Sequence, residues 1–127
     1  AFFKPGTHGC TLGVNPVCAA VSAAVLEMMA KEKLPEHAAR LGAITMEKIR
    51  GFRQAGSKIK EVRGKGLFIG VELTAADGSP VVQAALARGL VINATHKNVL
   101  RICPALTITE QTMFKGLGIL EEALAAT

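Results

Sequence analysis

The chain has no tryptophan and no tyrosine among its 127 residues, and aromatic residues make up 4% of it. Surfaces that stack single-stranded bases use such rings, and nucleic-acid surfaces usually cluster their bases. Here the formal net charge of +5 is spread along the chain, so no nucleic-acid partner is expected. Cysteine is scarce as well. Cys10, Cys18 and Cys103 are an odd number without metal-ligand spacing, which reads as reduced cytosolic thiols and a cytoplasmic setting. Long apolar runs are missing; Val17 to Ala30 is broken by Ser22 and Glu27, so no membrane partner is expected. No signal-peptide pattern opens the chain. It begins Ala-Phe-Phe-Lys-Pro without a Met, which suggests a fragment or a processed chain.

Several catalytic signatures are missing too. There is no Ser–His–Asp order and no pair of carboxylates standing out. His8, His37 and His96 lie far apart, with no Cys or carboxylate at ligand spacing. Cys103 has no readable base beside it, so packing is the better reading than nucleophile.

What is present is a globular chain, half apolar, of one-domain length. Residues 1–14 hold Pro5, Gly6, Gly9 and Gly13 and no helical period, hence a loop. Asn15-Pro16 reads as an N-cap followed by proline at the first helical position. Val17, Val21, Ala24, Val25, Met28 and Met29 continue that helix, with Lys31 to Leu34 its charged end. A second helix starts at Pro35, with Ala38, Leu41, Ile44, Ile49 and Phe52 inward and Gly56 as its stop.

The period then changes. Ile59–Arg63 and Leu67–Leu73 read as strands turned by Gly64-Lys65-Gly66, paired as a hairpin or meeting at a tight bend. A short helix, Pro80 to Arg88, closes at Gly89. Leu90–Asn93 reads as a third strand, His96 to Asn98 as a turn, and Val99–Cys103 as a fourth strand. A last helix runs from a Thr109 cap to Ala125, burying Met113, Leu117, Leu120 and Leu124. Gly116 and Gly118 inside it suggest close packing on the sheet. The expected fold is α+β, a small sheet covered by helices on one face. The first helix is too apolar for an ordinary surface helix, so part of it, and of the opening loop, is expected to pack on something outside this chain.

Two features invite an anion. In the Val99–Cys103 strand, alternation sends Leu100 and Ile102 one way and Val99, Arg101 and Cys103 the other. A guanidinium there needs a partner. Its planar fork suits a carboxylate held by two parallel bonds, such as that of a small substrate. A salt bridge to a core-edge acid, or plain exposure, is the alternative. The second feature is Gly6-Thr7-His8-Gly9-Cys10-Thr11-Leu12-Gly13 before the helix start. Glycines expose backbone N–H groups there, Thr7 or Thr11 adds a hydroxyl, and a helix N-terminus follows. Ordinary loop chemistry is the alternative. Gly64-Lys65-Gly66 is better read as a turn than as a phosphate site.

Together these segments carry a resemblance. Pro5-Gly6-Thr7-His8-Gly9-Cys10-Thr11-Leu12-Gly13-Val14-Asn15-Pro16 resembles the pattern P-G-x-H-G-[ST]-T-[FY]-G-G-N-P of the class III aminotransferases. Residues 62–73 resemble their V-R-G-x-G-L-x-x-G-x-E-L. Gly89–Asn93 and Asn98–Arg101 with Pro104 and Leu106 resemble the acetylornithine aminotransferase branch.

The resemblance implies the C-terminal small domain of a fold-type-I, pyridoxal-phosphate-dependent homodimer. Residues 1–15 would be the loop from the large-domain and dimer interface, and 16–127 the small domain with its leading helix. Thr11, with Cys10, would contact the cofactor phosphate held by the other subunit. Arg101 would bind the carboxylate of an amino-acid substrate or of glutamate. The whole enzyme would pass an amino group from N-acetylornithine, or a related ω-amino acid, to 2-oxoglutarate in arginine biosynthesis or metabolism. No lysine of this chain stands in the motif of the Schiff-base lysine, so the chain alone is expected to be inactive. Cys10, Leu12, Val14 and Ala105 depart from the pattern; Cys10 offers a weaker donor than the usual hydroxyl. A different reading is a free-standing α+β module that binds a small anionic metabolite without catalysis.

Overall fold

A computed structural model describes residues 15–52 and 58–127. The expectations for Thr11, Cys10 and the rest of the opening loop, and for Gly56 as a helix stop, lie outside the described residues. The chain divides into two compact units, 1–33 and 34–127.

In the first unit, helix α1 spans Pro16–Lys31. Asn15 caps it: its Oδ1 accepts from the backbone N–H of Val17 at 2.9 Å and of Cys18 at 3.3 Å. That satisfies two of the N–H groups a helix start leaves without intrahelical partners. No residue of α1 is buried, and Val17, Val21, Val25, Leu26 and Met28 are exposed. Lys33 follows at φ 52°, ending the run.

The second unit is a four-stranded antiparallel sheet with three helices. Helix α2 (Leu34–Gly51) precedes strands β1 (Ile59–Lys65) and β2 (Phe68–Leu73). Helix α3 (Ser79–Ala87), strands β3 (Asn93–Thr95) and β4 (Val99–Ile102), and helix α4 (Glu110–Ala125) follow. Strand order is β1-β2-β4-β3, every pairing antiparallel.

The inward ranks are apolar. Ile69 lies opposite Ile102, and Val71 opposite Leu100. Ile59, Val62, Ile69, Val71, Leu73 and Leu100 are buried. They share one core with Ala38, Leu41 and Ile49 of α2, Val81 and Ala85 of α3, and Met113, Leu117, Leu120 and Leu124 of α4. The helices therefore cover one face, as the sequence pattern requires.

Several boundaries differ from expectation, each for a local reason. β1 runs on through Lys65, and the hairpin turns at Gly66-Leu67, with Lys65 opposite Phe68. Gly66 takes φ +56°, a left-handed value that suits glycine. The α2 face is turned slightly: Gly42 and Thr45 are buried, and Ile44 is half-buried. Gly42 is needed there, because a Cβ on it would lie 2.0 Å from the Gly66 carbonyl oxygen. Leu90–Ile92 is not a strand. Leu90 is the last link of a Schellman motif, its N–H bonded to Ala85 O, beside Gly89 at φ +85°. The ladder starts only at Asn93.

The glycines of α4 do not serve close packing on the sheet. A Cβ on Gly116 would make an ordinary 3.5 Å contact with Leu90 Cδ1, and one on Gly118 would meet nothing within 4 Å.

Candidate carboxylate site on the open sheet face

The other face of the sheet carries no helix of the second unit, and its side chains follow from the register. Arg63 of β1 lies opposite Gly70 of β2, Gly70 opposite Arg101 of β4, and Arg101 opposite Asn93 of β3. This rank crosses all four strands. The neighbouring rank is Glu61, Glu72, Val99 and Thr95. A depression of about 730 Å³ lies over these ranks, lined among others by Arg63, Phe68, Gly70, Glu72, His96 and Arg101.

The two arginines are in different states. Arg63 is engaged: its Nη1 is 2.7 Å from Glu61 Oε2 and 2.7 Å from Glu72 Oε2. Glu72 also accepts from Lys60 Nζ at 2.7 Å. Glu61 and Glu72 face each other directly across the ladder, an unfavourable pairing of like charges. A bulge between Ile59 and Glu61 adds Lys60 to the strand, and Lys60 with Arg63 supplies the compensating charge. Hydrogen bonds from Lys60 and then Arg63 hold the Glu72 carboxyl below its ordinary value, and the bond to Glu72 raises Lys60.

Arg101 is exposed and pairs with no carboxylate among the described residues. Its side chain donates from Nε to Asn93 Oδ1, at 3.1 Å. The alternation read from the sequence holds: Leu100 is buried and Arg101 faces out. Gly70 beside it leaves the sheet without a side chain at the centre of the rank. A Cβ there would sit 3.3 Å from Val99 Cγ1. The arrangement offers a planar cation over a bare floor, the geometry for a carboxylate.

The turn beside the site is unusual. His96 and Lys97 both have positive φ, 49° and 70°. The turn is held from beneath: Asn98 Nδ2 donates to Leu73 O, Leu73 N–H to Asn98 O, and Gly78 N–H to Lys97 O. The remaining singled-out residues have other surroundings. His37 Nε2 donates to Ile108 O at 2.9 Å, tying α2 to the lead-in of α4. Cys103 is exposed instead of packed in the core.

Asn93 is a site residue to which the sequence assigns no role of its own: it stands there only as the end of an apolar run and of a family motif. Yet the His96–Asn98 turn makes the hairpin symmetric about Lys97, and that symmetry places Asn93 opposite Arg101.

The profile of aminotransferase class III matches residues 1–124. The chain belongs to the class III aminotransferases. Among similar proteins, the ornithine aminotransferase of an Exiguobacterium species is 41% identical over 123 residues, 97% of this chain and 30% of that protein. The acetylornithine aminotransferase of Caldanaerobacter subterraneus is 38% identical over 125 residues, 98% of this chain and 32% of that protein. The chain thus spans about a third of the length of these relatives.

Solved class III structures agree in fold. Acetylornithine aminotransferase from Elizabethkingia anophelis superposes with a TM-score of 0.86 at 32% identity, over 98% of this chain and 32% of that one. Ornithine aminotransferase from Toxoplasma gondii gives 0.85 at 35%, over 97% and 30%, and is described with partial occupancy of PLP at its active site. The α+β class III fold is therefore shared across nearly the whole described chain.

Two of the described lysines are engaged and do not suit as an anchor for such a cofactor: Lys58 Nζ donates to Leu124 O and Lys60 Nζ to Glu72.

Proposed function

We propose that this chain is the carboxylate-binding small-domain portion of an aminotransferase that moves an amino group from N-acetylornithine, or a related ω-amino acid, to 2-oxoglutarate in arginine metabolism. The observation that carries this reading is Arg101: an outward guanidinium on a rigid strand, beside the bare Gly70, with no protein carboxylate on it among the described residues. The relatives' names supply the reaction class. Pyridoxal phosphate, once bound, supplies the electron sink for breaking bonds at the amino-bearing carbon. This chain's part is to bind and orient. Arg101 grips the substrate carboxylate by paired N–H bonds, and the helix-backed sheet keeps that grip at a fixed place.

The reading extends to residues 1–15 as the loop at the large-domain and dimer interface of a cytoplasmic homodimer, with residues 16–127 as the small domain and its leading helix. Thr11, helped by Cys10, would reach the cofactor phosphate of the other subunit. The exposed apolar side chains of α1 support a packing partner in the rest of such an enzyme.

The test is Arg101→Ala in the full-length enzyme. The value of kcat/KM for the amino-acid substrate is expected to fall by an amount equivalent to about 2–5 kcal/mol, as when one partner of a desolvated charge pair is removed. An unchanged value refutes the assignment.

A further inference from the structure

We infer that Asn93 is a positioning residue for Arg101, and that it dictates which edge of the guanidinium meets the substrate carboxylate. The inference rests on Arg101 being the carboxylate anchor, and it adds how that anchor is aimed.

A guanidinium can present a carboxylate with a side edge, Nε and one Nη, or with its end, the two Nη groups. Both edges give two parallel N–H donors. In this structure the side edge is taken: Nε donates to Asn93 Oδ1 at 3.1 Å. The end carries no carboxylate among the described residues.

The bond is a product of the sheet. Asn93 and Arg101 are direct cross-strand neighbours in the short β3–β4 ladder, which puts their Cβ atoms on one face. On the other flank Arg101 faces Gly70, which has no side chain to brace it. Asn93 is thus the lateral support that a long, rotamer-rich side chain requires to hold one orientation.

The chemistry of the amide matters as much as its place. Because Nε–H can only donate, the Asn93 oxygen faces it. A neutral acceptor fastens the guanidinium without consuming its charge. A carboxylate at the same position would fasten it and neutralise it too. Arg63, in the same rank as Arg101 and held by Glu61 and Glu72 of the neighbouring rank, shows that second outcome within this sheet.

The experiment uses the full-length enzyme loaded with pyridoxal phosphate, and glutarate, a dicarboxylate that cannot react, as the probe in calorimetric titration. Asn93→Ala is expected to weaken glutarate about tenfold, the scale of one hydrogen bond to a charged group. That loss should be nearly independent of salt. Asn93→Asp is expected to weaken glutarate at least as much, with a loss that shrinks as salt rises, because the new carboxylate repels the probe and screening relieves it. The β3–β4 ladder uses backbone groups, so Asn93→Ala should keep the parent's Tm while losing affinity, whereas a merely structural role would lower Tm together with affinity. Arg101→Ala is the control. If it weakens glutarate strongly while both Asn93 variants bind within twofold of the parent, the positioning role is overturned and the anchor stands. If Arg101→Ala itself leaves glutarate unchanged, the anchor fails, and the positioning role falls with it.

Discussion

At Gly42 a single hydrogen atom decides whether α2 can lie against the β1–β2 turn. A methyl group there would come 2.0 Å from Gly66 O and 2.4 Å from Gly66 C, both backbone atoms that cannot swing aside. Gly42→Ala is therefore expected to destabilise the fold by about 1–3 kcal/mol, the range for overpacking a filled core, read as a lower urea midpoint at unchanged slope. Glu72 has its own signature at the same scale. Its folded carboxyl is held down by Lys60 and Arg63, so it contributes stability above the unfolded glutamate value, and that contribution is lost as pH falls through the lower folded value. Acid titration of stability should flatten in Glu72→Gln across that window, and an unaltered profile would contradict the network's role. Glu72 was visible in the sequence only as one letter of a motif. Its partners come from the bulge at Lys60, which no local pattern signals.

Among the elements, α4 shows where propensity and packing part company. Its buried stripe was legible because Met113, Leu117, Leu120 and Leu124 repeat at helical spacing, and all four are buried. The two glycines suggested tight packing, yet a Cβ on Gly118 meets open space. Gly118→Ala should therefore raise stability by about 1 kcal/mol, the helix-propensity difference, seen as a higher Tm. At the helix start Thr109 Oγ1 accepts from Thr112 N–H at 3.2 Å. Thr109→Ala is expected to cost about 0.5–2 kcal/mol in the same assay. The β3–β4 turn is the converse case. Lys97 sits at φ 70°, where a Cβ is strained, so Lys97→Gly should be neutral or stabilising. Leu90–Ile92 has strand-like composition, yet the third strand starts only at Asn93. A Schellman link at one end, and core packing of Leu90 and Ile92, use those residues otherwise.

For the whole molecule, the decisive fact is proportion. The chain matches its class III relatives over nearly all of its own length and about a third of theirs. What it shows is a platform: a sheet with one face sealed by helices and the other bearing a cation. We expect the 127-residue chain by itself to give no transamination product with ornithine or acetylornithine, 2-oxoglutarate and added pyridoxal phosphate. Product above the uncatalysed background, followed by chromatography of glutamate, would overturn that expectation.

Sequence alone determined the family, the α+β composition, the order of the elements and the outward aim of Arg101. Motifs in register, helical and strand periods, and side-chain alternation are local properties, written in neighbouring residues. Tertiary structure decided what surrounds Arg101. That Gly70 flanks it on one side and Asn93 on the other, and that Arg63 is spent on Glu61 and Glu72 while Arg101 is not, depends on strand order β1-β2-β4-β3 and on register. Register joins residues 8 to 31 positions away from Arg101 through backbone hydrogen bonds and a shared core, and it exists only once the sheet has closed on its helices.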